Sequence, residues 1–424
     1  MNWTMAEPEM AEAARFVVSS LEESGSEAYW VGGCIRDELL GRPVHDMDIT
    51  TSALPEEVMS VFPRCVPTGL QHGTVTVLHG GYGFEVTTYR TESGYADFRR
   101  PERVAFVRDV TEDLRRRDFT MNAICAGLDG RLVDPFGGAE DLDRRLVRCV
   151  GDAEERFGED ALRMLRCVRF ASTLDFAVAK NTWRGLLRQR DKLAHIAVER
   201  VYAELARIME GPRPLRGLAM LARGGLPARV KAPFPWDGEA LAAGAAGLAR
   251  IGELKSAPLR WALLLHTLGT PAETADGLLR AWTFPGTIRQ AVVRVLRVRE
   301  AWDPRAASAL PGADGDGRRR WVAAVLSFGR AAAEGWLDVA AALPGGGETG
   351  IAAARGWMAG MPVSGLGELA VAGGDLTAAL ERRPGPWLGR LLQELLLQAA
   401  LGELPNDREA LIEAAGRMDE HGQA

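Results

Sequence analysis

Two aspartates separated by one residue, Asp46 and Asp48, are the side chains whose types and spacing point most directly to chemistry. On an extended strand, positions i and i+2 face the same way, so both carboxylates project together. Two like charges held side by side are costly unless cations neutralise them. Because Mg²⁺ takes oxygen ligands and binds substrate phosphates, the pair predicts a two-metal site for phosphoryl transfer.

Residues on either side of this pair fit the same chemistry. Gly32 and Gly33 follow a strand-like run, so the backbone can approach a bulky anion, and the helix predicted next offers free N–H donors. Arg36 adds a fixed positive charge. Glu85 is the expected third acidic residue, because it faces away from the apolar Phe84 side of its strand. Taken alone, Glu85 would be an ordinary exposed strand residue.

A second charged group, formed by Glu159, Asp160 and Arg163, is predicted to lie on one helix. Asp160 and Arg163 are three residues apart, and Glu159 and Arg163 are four apart, so all three side chains can meet on one side. Such a group on an arbitrary helix would be a set of surface ion pairs. Its meaning therefore depends on its surroundings.

The elements that position these residues change character near residue 150. Before it, helical segments are predicted over 8–25 and 53–62, and strand-like runs fall at 29–33, 47–52, 73–78 and 84–90. After it, helical periodicity dominates and breaks rich in glycine, proline and alanine separate the helical groups. The pattern predicts an α/β or α+β domain followed by an all-α region.

Bulk properties limit the class of protein. The 424 residues carry a net charge of −6, and the five cysteines are scattered with no C-x-x-C pair. No run approaches the roughly 20 apolar residues that span a bilayer, and the N-terminal segment does not resemble an export signal. We expect a cytoplasmic protein with no membrane partner and free thiols.

The blocks that contain these residues resemble a known family. They run in order over residues 28–205, and the motifs are GGCIRDELLGRPVHDMDI, HGTVTV, FEVTTYR, DFRRPERVAFVRDVTEDLRRRDFTMNAI, LVDPFGG and RFGEDALRMLRCVRFAS. Together they resemble the class II tRNA nucleotidyltransferase and bacterial poly(A) polymerase family, within the polymerase-β-like superfamily. Further on, RAWTFP, GELAVAGGDL and PGPWLG resemble the body and tail of Bacillus-type CCA-adding enzymes.

The resemblance implies an α+β fold. A polymerase-β-like nucleotidyltransferase head, with a small mixed sheet and helices, would be followed by an all-α neck, body and tail. The implied ranges are 1–150 for the catalytic head, 151–211 for the base-recognising neck, 212–310 for the body and 311–424 for the tRNA-binding tail.

The resemblance also implies a role for each matched residue. Asp46 and Asp48 would hold the metal ions, and Glu85 would be the third catalytic carboxylate. The nucleotide-binding residues would be Gly32, Gly33, Arg36, Arg116, Arg117, Asp118, Asn122, Glu159, Asp160, Arg163 and Arg166. Within this set, an aspartate can accept from a ribose hydroxyl and arginines can grip phosphate oxygens as forks.

Asp160 and Arg163 would then read the incoming base in place of a template. Cytosine and adenine both present an amino donor beside an unprotonated ring nitrogen, which an aspartate and an arginine satisfy. Guanine and uracil present a carbonyl beside a ring N–H, which would leave desolvated groups unpaired. Glu159 would orient Arg163.

The implied activity is template-independent addition of CCA to the 3′ end of tRNA from CTP and ATP, with release of pyrophosphate. The partners would be the tRNA acceptor stem and elbow, with no DNA. One alternative is an A-adding enzyme of a split system, since residues 91–104 fill the flexible loop that CC-adding enzymes lack. A second is a bacterial poly(A) polymerase, whose expected basic C-terminal extension is missing here. An antibiotic-type nucleotidyltransferase conflicts with the long helical region, and a catalytically idle tRNA binder conflicts with the three carboxylates.

Overall fold

The computed structural model describes residues 1–96, 100–232, 238–304 and 315–420. The chain forms two compact units, Met1–Pro233 and Phe234–Ala424. In the described residues all strands lie in the first unit, and the second unit is helical. The predicted α+β fold, with a small mixed sheet followed by helices, is confirmed. The finer boundaries at 150, 211 and 310 stay a prediction.

The strands of the first unit build one main sheet and two small ones. The bounds are β1 (Ala28–Val31), β2 (Ile49–Thr51), β3 (Cys65–Gly69), β4 (Thr74–His79), β5 (Tyr82–Thr88), β6 (Arg90–Ala96), β7 (Arg100–Phe106), β8 (Cys125–Ala126), β9 (Leu132–Val133), β10 (Leu146–Val147) and β11 (Ala177–Val178). The main sheet has the order β3-β4-β5-β2-β1-β8-β9. It is mixed, because β2 and β5 are parallel while its other pairs are antiparallel.

In the described residues of the first unit, ten α-helices surround and follow this sheet. They are α1 (Pro8–Glu23), α2 (Gly33–Leu39), α3 (Pro55–Val61), α4 (Val110–Arg115), α5 (Gly138–Asp143), α6 (Ala153–Glu159), α7 (Leu162–Thr173), α8 (Lys180–Gln189), α9 (Val198–Glu210) and α10 (Pro214–Gly224). The predicted strands and the two predicted helices at the N-terminal end are confirmed to within a few residues, because alternating and helical hydrophobic periods are local properties of the chain.

Buried apolar residues of the short central strands form the core of the first unit together with α1. Trp30 on β1, Ile49 on β2 and Val86 on β5 are fully buried, as is Leu21 on α1. Val86 pairs directly with Ile49. Packing on the neighbouring strands β1 and β5 therefore fixes the start of β2 and the residues just before it.

The second unit is built from the remaining helices of the described residues. They are α11 (Gly238–Ala243), α12 (Ala257–Thr267), α13 (Ala272–Ala281), α14 (Gly286–Ala301), α15 (Gly315–Phe328), α16 (Arg330–Ala342), α17 (Glu348–Ala359), α18 (Gly373–Ala379), α19 (Pro386–Leu401) and α20 (Arg408–Glu420). Large apolar side chains fill it, with Trp261, Trp282, Trp321 and Trp336 fully buried. No helix in the described ranges is both long and apolar enough to cross a bilayer.

Candidate nucleotide-binding site

The carboxylate pair stands at the start of the central strand β2. The sequence predicted that Asp46 and Asp48 lie on a strand. The hydrogen-bonded strand begins only at Ile49, so both residues precede it. The pairing nevertheless reaches one residue further, because Val31 N–H donates to the Asp48 carbonyl oxygen at 2.9 Å. Met47 between them is buried, whereas Asp46 is exposed and Asp48 partly exposed. Both aspartates therefore line the same cavity.

Glu85 lies beside this pair through strand register. Ile49 pairs with Val86, so the preceding residues, Asp48 and Glu85, are neighbours across the parallel strands. The pKa of Asp48 is raised to about 6, mainly by burial and then by the charges of Asp46 and Glu85, while Arg117 opposes them. This crowding of hard oxygen donors fits a divalent cation.

The three carboxylates do not converge as a ready-made triad. Within the described residues, no group of three or more aspartate, glutamate, histidine or cysteine side chains could hold a metal ion together. Asp46 and Asp48 share the cavity wall, whereas Glu85 is outside the cavity lining. Metal binding would therefore depend on Asp46 and Asp48, and Glu85 would add only its negative charge to the site.

A cavity of about 450 Å³ brings the other predicted residues together. Apart from Glu85 and Glu159, every residue predicted for the site lines it, namely Gly32, Gly33, Arg36, Asp46, Asp48, Arg116, Arg117, Asp118, Asn122, Asp160, Arg163 and Arg166. These residues come from segments separated by more than 100 positions in the sequence. The cavity is strongly charged, with four aspartates and seven arginines in its lining, and this excess of positive charge suits a nucleoside triphosphate.

Gly32 allows the backbone turn that opens the site. Its φ of +80° is one that side-chain-bearing residues rarely adopt. A Cβ atom placed there would stand 3.1 Å from Nη1 of Arg117. The glycine therefore serves both the turn into α2 and the approach of Arg117.

Asp118 connects the polar residues at the centre of the cavity. Its Oδ2 accepts from Arg166 at 2.6 Å, and its Oδ1 accepts from Asn122 Nδ2 at 3.0 Å. Asn122 Oδ1 in turn accepts from Arg36 Nη1 at 2.7 Å. Burial alone would raise the pKa of Asp118, but Arg166 and Asn122 hold it down at about 2. The carboxylate is thus ionised and oriented before any ligand arrives.

Asp113, which sequence reasoning missed, anchors the two neighbouring arginines. Its fully buried carboxylate lies 2.7 Å from Arg116 Nη2 and 3.5 Å from Arg117 Nη2. Burial opposes its ionisation, yet both arginines keep its pKa below the ordinary value. Thr50 of β2 donates to it as well, at 3.3 Å. The spacing of three and four residues from Asp113 to the arginines was the available signal.

The predicted single helix through Glu159, Asp160 and Arg163 is wrong. Helix α6 ends at Glu159, Asp160 is extended with φ −134° and ψ 105°, and α7 begins at Leu162. Gly158 weakens the end of α6. Asp160 Oδ1 instead accepts from Leu162 N–H at 3.0 Å, so it satisfies a free donor at the start of α7.

Arg163 still meets Glu159 across that break. Arg163 Nη1 donates to Glu159 Oε2 at 2.7 Å, and Arg163 Nη2 donates to the Arg116 carbonyl oxygen at 2.8 Å. Asp160 Oδ2 lies 3.5 Å from Arg200 Nη2. Asp160 and Arg163 are thereby fixed along one part of the cavity wall, each by its own partners.

Four further residues line the cavity that were not predicted as site residues, and one of them is Leu162 at the start of α7. Arg169 and Phe170 follow Arg166 on α7, and Arg200 comes from α9. The spacing of Arg163, Arg166 and Arg169 at every third residue was visible in the sequence. Phe170 and Arg200 carried no local signal, because only packing brings them to the cavity.

The fold and this cavity define a nucleotidyltransferase, and comparison with known proteins places the chain within that class. The family model described as the Poly A polymerase head domain matches residues 28–148. The "Probable RNA and SrmB-binding site of polymerase A" model matches 175–231, and a tRNA nucleotidyltransferase domain 2 model matches 253–415.

Full-length relatives are similar over nearly the whole chain. The CCA-adding enzyme of Geobacillus stearothermophilus is 39% identical over 93% of this chain and 94% of its own. That of Limosilactobacillus fermentum is 39% identical over 97% and 98%. The crystal structure of the Bacillus stearothermophilus CCA-adding enzyme in complex with CTP superposes with a TM-score of 0.80 at 36% identity, covering 98% and 99%. The chain belongs to the family of CCA-adding enzymes.

Proposed function

We propose that this protein adds CCA to the 3′ end of tRNA in the cytoplasm, using CTP and ATP and releasing pyrophosphate. The observation that carries the proposal is the single cavity that joins Asp46 and Asp48 to Asp160 and Arg163. It places residues suited to phosphoryl transfer and residues suited to reading a base around one nucleotide-sized space. The relatives named as CCA-adding enzymes support the same activity over nearly the full chain.

Asp46 and Asp48 are the residues that would hold metal, and Mg²⁺ suits their oxygen donors. Bound there, a divalent cation would neutralise phosphate charge and favour ionisation of the attacking hydroxyl. The protein's own part is placement. Arg36 and Arg117 line the cavity and would bind the triphosphate. Asp118 is held by Asn122 and Arg166 and would accept from a ribose hydroxyl. The tRNA 3′-hydroxyl then attacks the α-phosphate, and pyrophosphate leaves.

Base choice falls to Asp160 and Arg163. Asp160 is held by the Leu162 N–H and Arg200, and Arg163 is held by Glu159 and a carbonyl oxygen. Neither side chain can swing without losing these partners. A rigid acceptor beside a rigid donor pairs with cytosine and adenine and leaves guanine and uracil with unpaired groups.

A groove on α8 and α10 supports contact with RNA. Its cavity of about 700 Å³ has Trp183 in its wall and four cations, Lys180, Arg184, Arg216 and Arg223, with no acidic residue among its lining. Arg216 is engaged by Asp175 at 2.9 Å, whereas Lys180 and Arg184 are exposed. The groove falls within the range matched by the RNA-binding family model. Such a surface suits tRNA phosphates, and we assign it to the acceptor stem or elbow.

The test is incorporation of labelled CTP and ATP into tRNA transcripts that end before CCA, end after CC, or are complete. CCA addition to the shortest transcript, followed by a stop, is the expected result. Addition of A alone to the CC-ended transcript would replace the proposal with an A-adding enzyme of a split system. Long A-tails on unrelated RNA would replace it with a poly(A) polymerase.

A further inference from the structure

One aromatic ring lies among the arginines of the nucleotide cavity. The guanidinium carbons of Arg169, Arg36 and Arg166 lie 4.0, 5.1 and 5.4 Å from the ring centroid of Phe170. All three distances fall within the roughly 6 Å over which a cation is attracted to an aromatic face. Phe170 is only 5% exposed, and its ring lines the cavity.

Each of these arginines is also fixed at its edge by an acidic side chain. Arg166 is 2.6 Å from Asp118, and Arg169 is 2.6 Å from the buried Glu204. These carboxylates fix the guanidinium groups of Arg166 and Arg169, and Asp118 reaches Arg36 only through Asn122. Neither acid therefore contacts all three arginines. Arg36 comes from α2, whereas Arg166 and Arg169 come from α7.

The ring also touches the segment that carries Asp118 and Asn122. Phe119 packs edge-on against Phe170, with 5.8 Å between the ring centroids. One side chain thus contacts α2, its own helix α7 and the segment after α4. Three positive charges within reach of one ring repel one another. Burial lowers the pKa of Arg169 most, and the charge of Arg166 lowers it as well, while Glu204 opposes both. The π-face offsets part of that repulsion without adding a negative charge that would compete with phosphates.

We propose that Phe170 is a positioning residue, whose π-face gathers Arg36, Arg166 and Arg169 into one binding surface for the triphosphate of the incoming nucleotide. The inference rests on the proposed function for the identity of the nucleotides. Phe170 acts through the arginines, so it influences nucleotide affinity more than the chemical step.

The experiment replaces Phe170 with phenylalanines that carry one, two or three ring fluorines. Fluorine withdraws charge from the π-face and leaves the ring's shape nearly unchanged. Phe157, fully buried on α6 and with no guanidinium over its ring in the described part of the chain, takes the same series as the matched control. KM for CTP and ATP, kcat, the equilibrium Kd for CTP without tRNA, and the thermal midpoint are measured for every variant.

The expected result is a stepwise rise of KM and Kd with each fluorine at position 170, reaching about tenfold for the trifluoro ring. We expect kcat and the thermal midpoint to stay near those of the unsubstituted protein, and the Phe157 series to be flat. Unchanged Kd across the Phe170 series, or an equal rise in the Phe157 series, would overturn the inference. Because the CTP Kd is measured without tRNA, it tests the role of Phe170 separately from CCA addition. A failure of the proposed function would instead appear as a lack of CCA addition by the unsubstituted protein.

Discussion

Arg163 and Glu159 form a 2.7 Å hydrogen bond between Nη1 and Oε2 although they lie in different helices. The bond spans the break at Asp160, and both side chains are mostly buried, at 11% and 19% exposed. Partial burial removes much of the competition from water, so this pair holds its geometry more firmly than an exposed pair does. The direction of the Arg163 guanidinium, and with it the donor offered to a base, depends on Glu159.

Glu159→Gln should relax base selection more than it slows the correct reaction. The amide still accepts a hydrogen bond but loses the charge that fixes Arg163, so discrimination between CTP and UTP should fall about tenfold. Ratios of kcat/KM for CTP and UTP measure the effect. Glu154→Gln is the matched control, because Glu154 on the same helix pairs with Arg188, which is 61% exposed. Equal effects of both substitutions would refute the orienting role.

Neutralising Asp48 should raise the stability of the protein and lower its activity. The partly buried carboxylate lies beside the charges of Asp46 and Glu85, so Asp48→Asn should raise the free energy of unfolding of the metal-free protein by about 1 to 2 kcal/mol. The same change should lower kcat for CTP addition by about a thousandfold, since the metal-binding pair is lost. Denaturant unfolding and single-nucleotide incorporation are the measurements. A variant that is active and no more stable would contradict the metal role.

Gly32→Ala tests the turn and the approach of Arg117 together. The positive φ should cost about 1 to 2 kcal/mol of stability, and the new Cβ should displace the Arg117 guanidinium, raising KM for nucleotides several-fold. Gly41→Ala is the control, because Gly41 has a φ of +63° and open space where its Cβ would stand. Gly32→Ala should lose more stability in denaturant unfolding than Gly41→Ala, because the ψ of −120° at Gly32 lies outside the left-handed helical region. Only Gly32→Ala should change KM. A matching KM change in both would exclude the Arg117 contact as the cause.

How much of this site could be predicted depended on whether its signals were local. Asp46, Asp48 and the strands around them follow from alternation over a few residues, and the structure places the pair as expected on one cavity wall. Charged residues spaced by three or four, such as those in α7, also carried usable information.

The remaining features depend on contacts between distant segments. At the break, the Asp160 side chain caps the Leu162 N–H, and this capping competes with helix continuation. Phe170 reaches Arg36 only after α2 and α7 have packed, and the register that places Glu85 beside Asp48 requires β2 and β5 to meet in parallel. A single sequence does not encode such distances in any short window.

Asp118 should make the protein sensitive to acid in a defined range. Its pKa is depressed from 3.8 to about 2, so its contribution is fully present above about pH 4 and is lost as pH falls through about 2. The lost stability should be about 2 kcal/mol. Denaturant unfolding at several pH values, with Asp118→Asn for comparison, measures it. The difference between the two proteins should shrink across that range, and a constant difference would show that Asp118 is not held ionised by Arg166.

If the groove on α8 and α10 binds tRNA, its cations should contribute to the salt dependence of the tRNA Kd. Lys180→Ala and Arg184→Ala each remove one cation that faces phosphate in our assignment, so each should weaken tRNA binding and reduce the slope of log Kd against log salt by about 1. KM for CTP should not change, because both residues lie outside the nucleotide cavity. The measurement is the tRNA Kd by filter binding between about 50 and 200 mM salt.

Arg188→Ala gives this experiment its matched control. Arg188 lies one turn further along α8, is 61% exposed and pairs with Glu154, and it is not part of the groove lining. Its loss should leave the salt slope unchanged. If all three variants behave alike, the effect is one of net charge and the groove does not contact tRNA. If only Lys180 and Arg184 matter, a Trp183→Ala variant with the cations intact then shows whether the apolar wall of the groove adds affinity that salt does not screen.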